Sequence, residues 1–289
     1  YSKIYTATDK YNQSTTYELK YNVDKDSPTL SVVTQPDNKY IQRENSIVFS
    51  GAANDLGSGL NGIFYIVNAQ ENEEPETINN SWTQTSGTNV WNANIDLRTT
   101  AEGAYKVFFG AKDVAGNVYV TNSQEAKQLY VDEKSPTVTI EAKASEEEGA
   151  TNLTEKGTIY RNRSFTISGS AIDTYFDKAE LTVSKDGNAA QTINFTSGGT
   201  TSGEWTYTQE VDVNTHSNDG TYLYTITAKD KAGRVSTTST TVIIDTTAPT
   251  LGLNNFANGQ VITSSEFTFR GIASDNVGLS GNIEYTQDG

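Results

Sequence analysis

Apolar and polar positions alternate along this chain in short bursts, the period expected of half-buried strands and not of helices. Ile47-Val48-Phe49-Ser50-Gly51, Phe165-Thr166-Ile167-Ser168-Gly169 and Phe267-Thr268-Phe269-Arg270-Gly271 each read as a strand running into a glycine, small residues and then an acid, at Asp55, Asp173 and Asp275. A second burst starts at an aromatic residue and ends in an Asp turn: Tyr105 to Asp113-Val114-Ala115-Gly116-Asn117, Tyr222 to Asp230-Lys231-Ala232-Gly233-Arg234, and a shorter copy from Tyr5 to Asp9. It predicts a hairpin. Trp91 and Trp205 open a third alternating run, to Asp96 and Asp212, and are expected to pack in a core. Apolar residues make up 35% of the chain and aromatic ones 10%, enough for thin cores between many short strands. The pattern is all-β.

The bursts recur in a fixed order. Val23-Asp24-Lys25-Asp26-Ser27-Pro28-Thr29, Val131-Asp132-Glu133-Lys134-Ser135-Pro136-Thr137 and Ile244-Asp245-Thr246-Thr247-Ala248-Pro249-Thr250 share the pattern [VI]-D-x-x-[SA]-P-T, and their aspartates lie 108 and 113 residues apart. That spacing is the size of a sandwich domain and too long for a solenoid repeat. The expected organisation is a C-terminal hairpin of a preceding repeat at 1–27, full domains at 28–135 and 136–248, and the opening strands of a further repeat at 249–289, so that both ends fall within a repeat.

With these motifs the chain resembles the bacterial immunoglobulin-like (Big-type) tandem repeats of large surface adhesins, over its whole length. The resemblance implies an extended array of β-sandwiches on a bacterial surface or in a secreted protein, serving as a stalk. The same motifs suit the spacer or carbohydrate-binding modules of secreted enzymes. In such a sandwich the entry linker, the loop after strand B and the F–G loop share one pole. Recurrent acids are therefore expected to meet at each junction: Asp24, Asp55 and Asp113; Asp132, Asp173 and Asp230; Asp245 and Asp275. The E–F turns of the preceding domains add Glu102 and Asp219 as further oxygen ligands. Bare carboxylates about 4 Å apart repel by roughly 1 kcal/mol even in a water-like medium, and Ca²⁺, which takes six to eight oxygens in loose geometry, reverses that sign. The resemblance supports calcium as the ion. The competing reading is that each Asp only forms its own turn. Pro28, Pro136 and Pro249 restrict the linkers in either case.

Composition removes several other classes. There is no Cys, so neither disulfides nor thiolate metal sites are available. The net charge of −15 has the wrong sign for nucleic acid, and no run is long and apolar enough for a membrane span. His216, the sole histidine, sits in a polar run and reads as a solvated loop residue, so no catalytic constellation is expected. The expected partners are neighbouring repeats of the same chain, with other copies or a surface ligand reached through distal modules. Glu141 to Thr154, with Glu146-Glu147-Glu148-Gly149, reads as a solvated insertion near the A–B region. The Asn-x-Ser/Thr sequons at Asn12, Asn79, Asn152, Asn162 and Asn194 carry no assigned role. Trp82 lacks a counterpart in the next repeat and is read either as a packed edge residue or as a sugar platform.

Overall fold

The computed structural model describes residues 1–71, 73–144, 152–153, 158–193 and 202–286, and these contain strands and loops but no helix. The chain divides into two compact units, Tyr1–Lys134 and Ser135–Gly289.

The first unit opens with an antiparallel hairpin, β1 (Ser2–Thr8) and β2 (Ser14–Lys20). Its turn is closed by Asp9, whose Oδ1 accepts the backbone N–H groups of Tyr11 (2.8 Å) and Gln13 (2.9 Å). A sandwich follows. One sheet has the order β3 (Thr29–Thr34), β5 (Ser46–Asn54), β9 (Val90–Asp96), β8 (Ser86–Gly87). The other has the order β4 (Tyr40–Gln42), β12 (Lys127–Asp132), β10 (Gly103–Asp113), β6 (Leu60–Ala69), β7 (Thr83–Gln84), with β11 (Val118–Val120) also on β10. The chain leaves β3 in the first sheet and joins the second as β4, parallel to β12. Alternation does what the sequence pattern predicts: Ile47, Phe49 and Ala53 of β5, Trp91, Ala93 and Ile95 of β9, and Val107, Phe109 and Ala111 of β10 fill the space between the sheets. At the base of β10 the Tyr105 hydroxyl donates to the Ala101 carbonyl at 2.9 Å, the corner bond typical of immunoglobulin-like sandwiches.

The outer face of β10 is covered as well. Phe108 is buried there, and a Cβ placed on Gly110 would lie 2.9 Å from Ile78 and 3.2 Å from Trp82. Trp82 is only 7% exposed. It is a packed residue, and the sugar-platform reading is corrected on that ground: a buried indole offers no face to a ligand.

The second unit repeats the plan. β13 (Thr137–Val138) and β14 (Glu141–Ala144) both pair with β16 (Phe165–Ile172), which also pairs with β19 (Ser202–Gln209). The facing sheet has the order β15 (Ile159–Arg161), β21 (Val235–Ile244), β20 (Gly220–Asp230), β17 (Phe176–Lys185), β18 (Gln191–Ile193), with β15 parallel to β21. Phe165, Ile167, Trp205, Tyr224 and Ile226 form its core. The expected insertion loop therefore starts later than predicted, because Glu141–Ala144 pair with β16 and Leu153 donates to the Ala142 carbonyl at 2.8 Å. The Glu146-Glu147-Glu148-Gly149 run lies outside the described residues.

Beyond Pro249, β22 (Thr250–Leu253) pairs with β23 (Gly271–Ser274). The sequence predicts a strand from Phe267, but the ladder starts at Gly271. Upstream of it the Asn255 side chain stands in for a strand, its Nδ2 donating to Thr268 O (2.6 Å) and its Oδ1 accepting Arg270 N (2.8 Å). Phe256, Phe267 and Phe269 meet there edge to face.

Candidate functional site

Strand geometry brings the first acid set together. β5 ends at Asn54 and turns through Asp55-Leu56-Gly57-Ser58-Gly59; β10 ends at Asp113 and turns through Val114-Ala115-Gly116-Asn117; Asp24 precedes β3. One carboxylate oxygen from each of Asp24, Asp55 and Asp113 lies within 4.8 Å of the other two. Asp113 is fully buried, and Asp24 and Asp55 are half-buried.

Backbone donors fix each carboxylate. Asp113 Oδ1 accepts Gly116 N (2.6 Å) and Asn117 N (2.7 Å), while its Oδ2 accepts Asn117 Nδ2 (2.7 Å). The same amide reaches the Asp24 carbonyl at 3.3 Å. Asp55 Oδ2 accepts Gly59 N at 2.6 Å. Asp24 Oδ2 accepts Ser58 N (2.6 Å) and its Oδ1 accepts Asp26 N (3.2 Å). Gly57 leaves room for this contact, since a Cβ at that position would collide with the Asp24 carboxylate where it now lies. Ser58 Oγ accepts Ala115 N at 3.0 Å and so ties the two loops to each other. The N–H and hydroxyl of Ser58, then the N–H of Asp26, hold the Asp24 carboxyl below the ordinary aspartate range. The three carboxylates lie at mutual distances where like charges repel. The group has the all-oxygen donor chemistry of a hard-cation site.

In the second unit Asp173 and Asp230 meet in the same way, with carboxylate oxygens within 4.8 Å. Asp230 Oδ1 accepts Arg234 N (2.9 Å), reproducing the Asp113–Asn117 turn, and its Oδ2 is buried without a hydrogen-bond partner among the described residues. Asp173 Oδ1 takes Tyr175 N (2.6 Å), two residues on, where Asp55 takes Gly59, four residues on. The glycine-free loop explains that difference. Asp132, the last residue of β12 in the first unit, is buried, with Oδ1 accepting Lys134 N at 3.1 Å. Near Pro249, Asp245 Oδ1 accepts Thr247 N (3.1 Å) and Asn276 Nδ2 (3.2 Å). The N–H groups of Gly278 and Val277 hold the Asp275 carboxyl below its usual range.

The two E–F acids have partners of their own. Glu102 faces Lys134 Nζ at 3.7 Å. Asp219 Oδ1 accepts Thr246 N (2.9 Å) and Thr246 Oγ1 (2.6 Å), and its Oδ2 accepts Thr247 Oγ1 (2.7 Å). Among the described residues, neither belongs to the group of Asp24, Asp55 and Asp113 or to the pair Asp173 and Asp230. Of the supporting residues, Ser58 carries no sequence signal, whereas Asn117 closes the Asp113-Val114-Ala115-Gly116-Asn117 turn read from sequence.

Residues 134–246 match the family of bacterial Ig-like domains. No curated protein matches the chain. Among solved structures, a tetra-tandem repeat in the extending region of a large adhesion protein shares 17% identity at TM-score 0.34, over 88% of this chain and 58% of that one. A structure from a 1.5-MDa bacterial ice-binding adhesin shares 17% identity at TM-score 0.37, over 84% and 74%. The fibronectin(III)-like modules of CbhA from Clostridium thermocellum share 15% identity at TM-score 0.33, over 75% and 93%. The family match falls on the second sandwich, from its entry linker to the end of β21, and over those residues this all-β chain of tandem sandwiches is similar to bacterial Ig-like domains.

Proposed function

We propose that this chain is a structural stalk or spacer segment of a bacterial cell-surface or secreted adhesin or filament, with calcium stiffening the junctions between its repeats. The observation that carries the calcium reading is the convergence of Asp24, Asp55 and Asp113 from three separate segments. Acceptor-only groups gathered this closely destabilise a fold unless a cation joins them. Calcium fits better than magnesium, because carboxylates from separate loops, backbone carbonyls and water meet a loose six-to-eight-oxygen shell more readily than a tight octahedron. By equivalence of position the second set is Asp132, Asp173 and Asp230, and the third includes Asp245 and Asp275. A stalk performs no chemistry of its own; it holds a distal module away from the cell, and its partners in this segment are its own neighbouring repeats. The burial of Trp82 leaves the carbohydrate-module reading without its best platform.

The test is a calorimetric calcium titration paired with small-angle X-ray scattering, first in calcium and then in chelator. Binding with a larger maximum dimension and reduced flexibility is the expected result. No binding at millimolar calcium, with unchanged scattering, would reduce the aspartates to turn formers.

A further inference from the structure

We infer that the corner between β19 and β20 of the second sandwich is a metal-independent linker clamp, in which Asp219 is the positioning residue that fixes the chain at Thr246 and Thr247. The linker after β21 would otherwise be a swivel: it is five residues long, and only Pro249 is restricted intrinsically. Instead it is held at successive points. Asp245 N donates to the Arg161 carbonyl at 2.9 Å, extending the parallel β15–β21 pairing by one bond. Both oxygens of Asp219 then take the next two residues through one N–H and two hydroxyls. Bonds to an ionised acceptor are roughly twice as strong as neutral ones.

Local backbone geometry makes the grip possible. Gly220 has φ 147° and leads directly into β20, and a Cβ there would press on the Asp186 and Lys185 side chains. His216 has φ 54°, and its Nδ1 lies 2.7 Å from Thr246 Oγ1. The Thr246 hydroxyl gives its proton to Asp219, so the imidazole donates to that hydroxyl and does not draw a proton from it. The His–Thr–Asp contact is thereby a brace and not a nucleophile relay, whose hydroxyl would donate to the imidazole. In the first sandwich the residues that follow β12 are met by ions: Lys134 by Glu102 of the β9–β10 corner at 3.7 Å, and Glu133 by Arg43, which follows β4, at 2.8 Å. The second corner uses hydroxyls where the first uses charged side chains, so it depends less on ionic strength.

The experiment is amide hydrogen exchange on the whole chain, wild type and Asp219→Ala, Asp219→Asn and Thr247→Val, each in calcium and in chelator. Protection of the Thr246 amide is expected to fall about tenfold or more in Asp219→Ala. Ile226 and Ala228 in β20 should keep theirs, which separates a lost clamp from an unfolded domain. Asp219→Asn, which keeps one acceptor oxygen, should recover part of the Thr246 protection, and chelator should leave the wild-type value unchanged. Unaltered Thr246 protection in Asp219→Ala, or its loss in wild type on chelation alone, overturns the clamp. The second of those outcomes would leave the calcium reading standing, whereas failure of calcium to bind leaves the clamp standing.

Discussion

At the residue scale the two sandwiches share a device that the sequence displays without explaining. Gly51 lies opposite Trp91 and Gly169 opposite Trp205 in their ladders. A Cβ on Gly51 would fall 2.6 Å from Trp91 Cζ2, and one on Gly169 would fall 2.5 Å from Trp205 Cζ2, with the carbonyls of Ser31 and Thr139 blocking the other side. The indole occupies the space that a side chain would need. Gly51→Ala and Gly169→Ala are therefore each expected to destabilise by about 1–3 kcal/mol through overpacking, read as a lower urea midpoint at an unchanged m value. Asp113 gives a test in the difference between two conditions. Asp113→Asn can keep the Gly116 and Asn117 backbone bonds through its carbonyl, but it removes one carboxylate from the group and turns a donor toward Asn117 Nδ2. In chelator that lost side-chain bond should cost about 1 kcal/mol, and in calcium the variant should lose about 1 kcal/mol or more beyond it, the cation's contribution. An equal loss in both conditions would identify Asp113 as a turn former only. Proton competition has a sign as well. The folded-state pKa of Asp24 is depressed by the Ser58 and Asp26 donors, so its contribution is present above the unfolded value and lost as pH falls through the lower folded one. Protonation of Asp24 should therefore weaken calcium binding, measured by calorimetry at fixed ionic strength, only below the ordinary aspartate range. A midpoint near about pH 6 would point to a different ligand.

At the scale of elements, what was legible in the sequence was whatever depends on period-2 alternation and on turn chemistry. β5, β9, β10, β16 and β20 lie where the bursts put them, because each turns every second residue inward between two sheets, β10 having its outer face covered as well. The acids at Asp55, Asp113, Asp173 and Asp230 were legible for the related reason that strand ends fix where loops begin. Elements held by other means were not. Asn255 replaces a ladder with its own amide, and alternation at Phe267–Phe269 contains no sign of that. The cover over Gly110 by Ile78 and Trp82 comes from an irregular segment without periodicity. Glu141–Ala144 pairs by backbone, and its charged composition disguised it. The Tyr105 corner belongs to this scale too. Tyr105→Phe removes a single hydroxyl bond to Ala101 while preserving the ring, so about 1 kcal/mol of stability should be lost. An unchanged midpoint would show that water replaces the bond at no cost.

Across the whole molecule, a formal charge of −15 separates a diffuse effect from a local one. Diffuse repulsion among surface acids is relieved by any salt, since screening depends on ionic strength and not on which cation supplies it. Repulsion among acids fixed by backbone donors within 4.8 Å of one another is relieved locally by a cation that enters the group, where charge density and oxygen coordination matter. Thermal unfolding in sodium chloride and in calcium chloride at matched ionic strength therefore distinguishes the two. Specific binding adds a term that grows logarithmically with free calcium, about 2.7 kcal/mol per site at a hundred times Kd, whereas screening saturates. The expected result is a midpoint that climbs with each decade of calcium and returns to the sodium value on chelation. Coincident curves in the two salts would assign the whole effect to screening, and the acid groups would then owe their positions to donors such as Asp26, Ser58, Gly59, Gly116, Asn117, Tyr175 and Arg234.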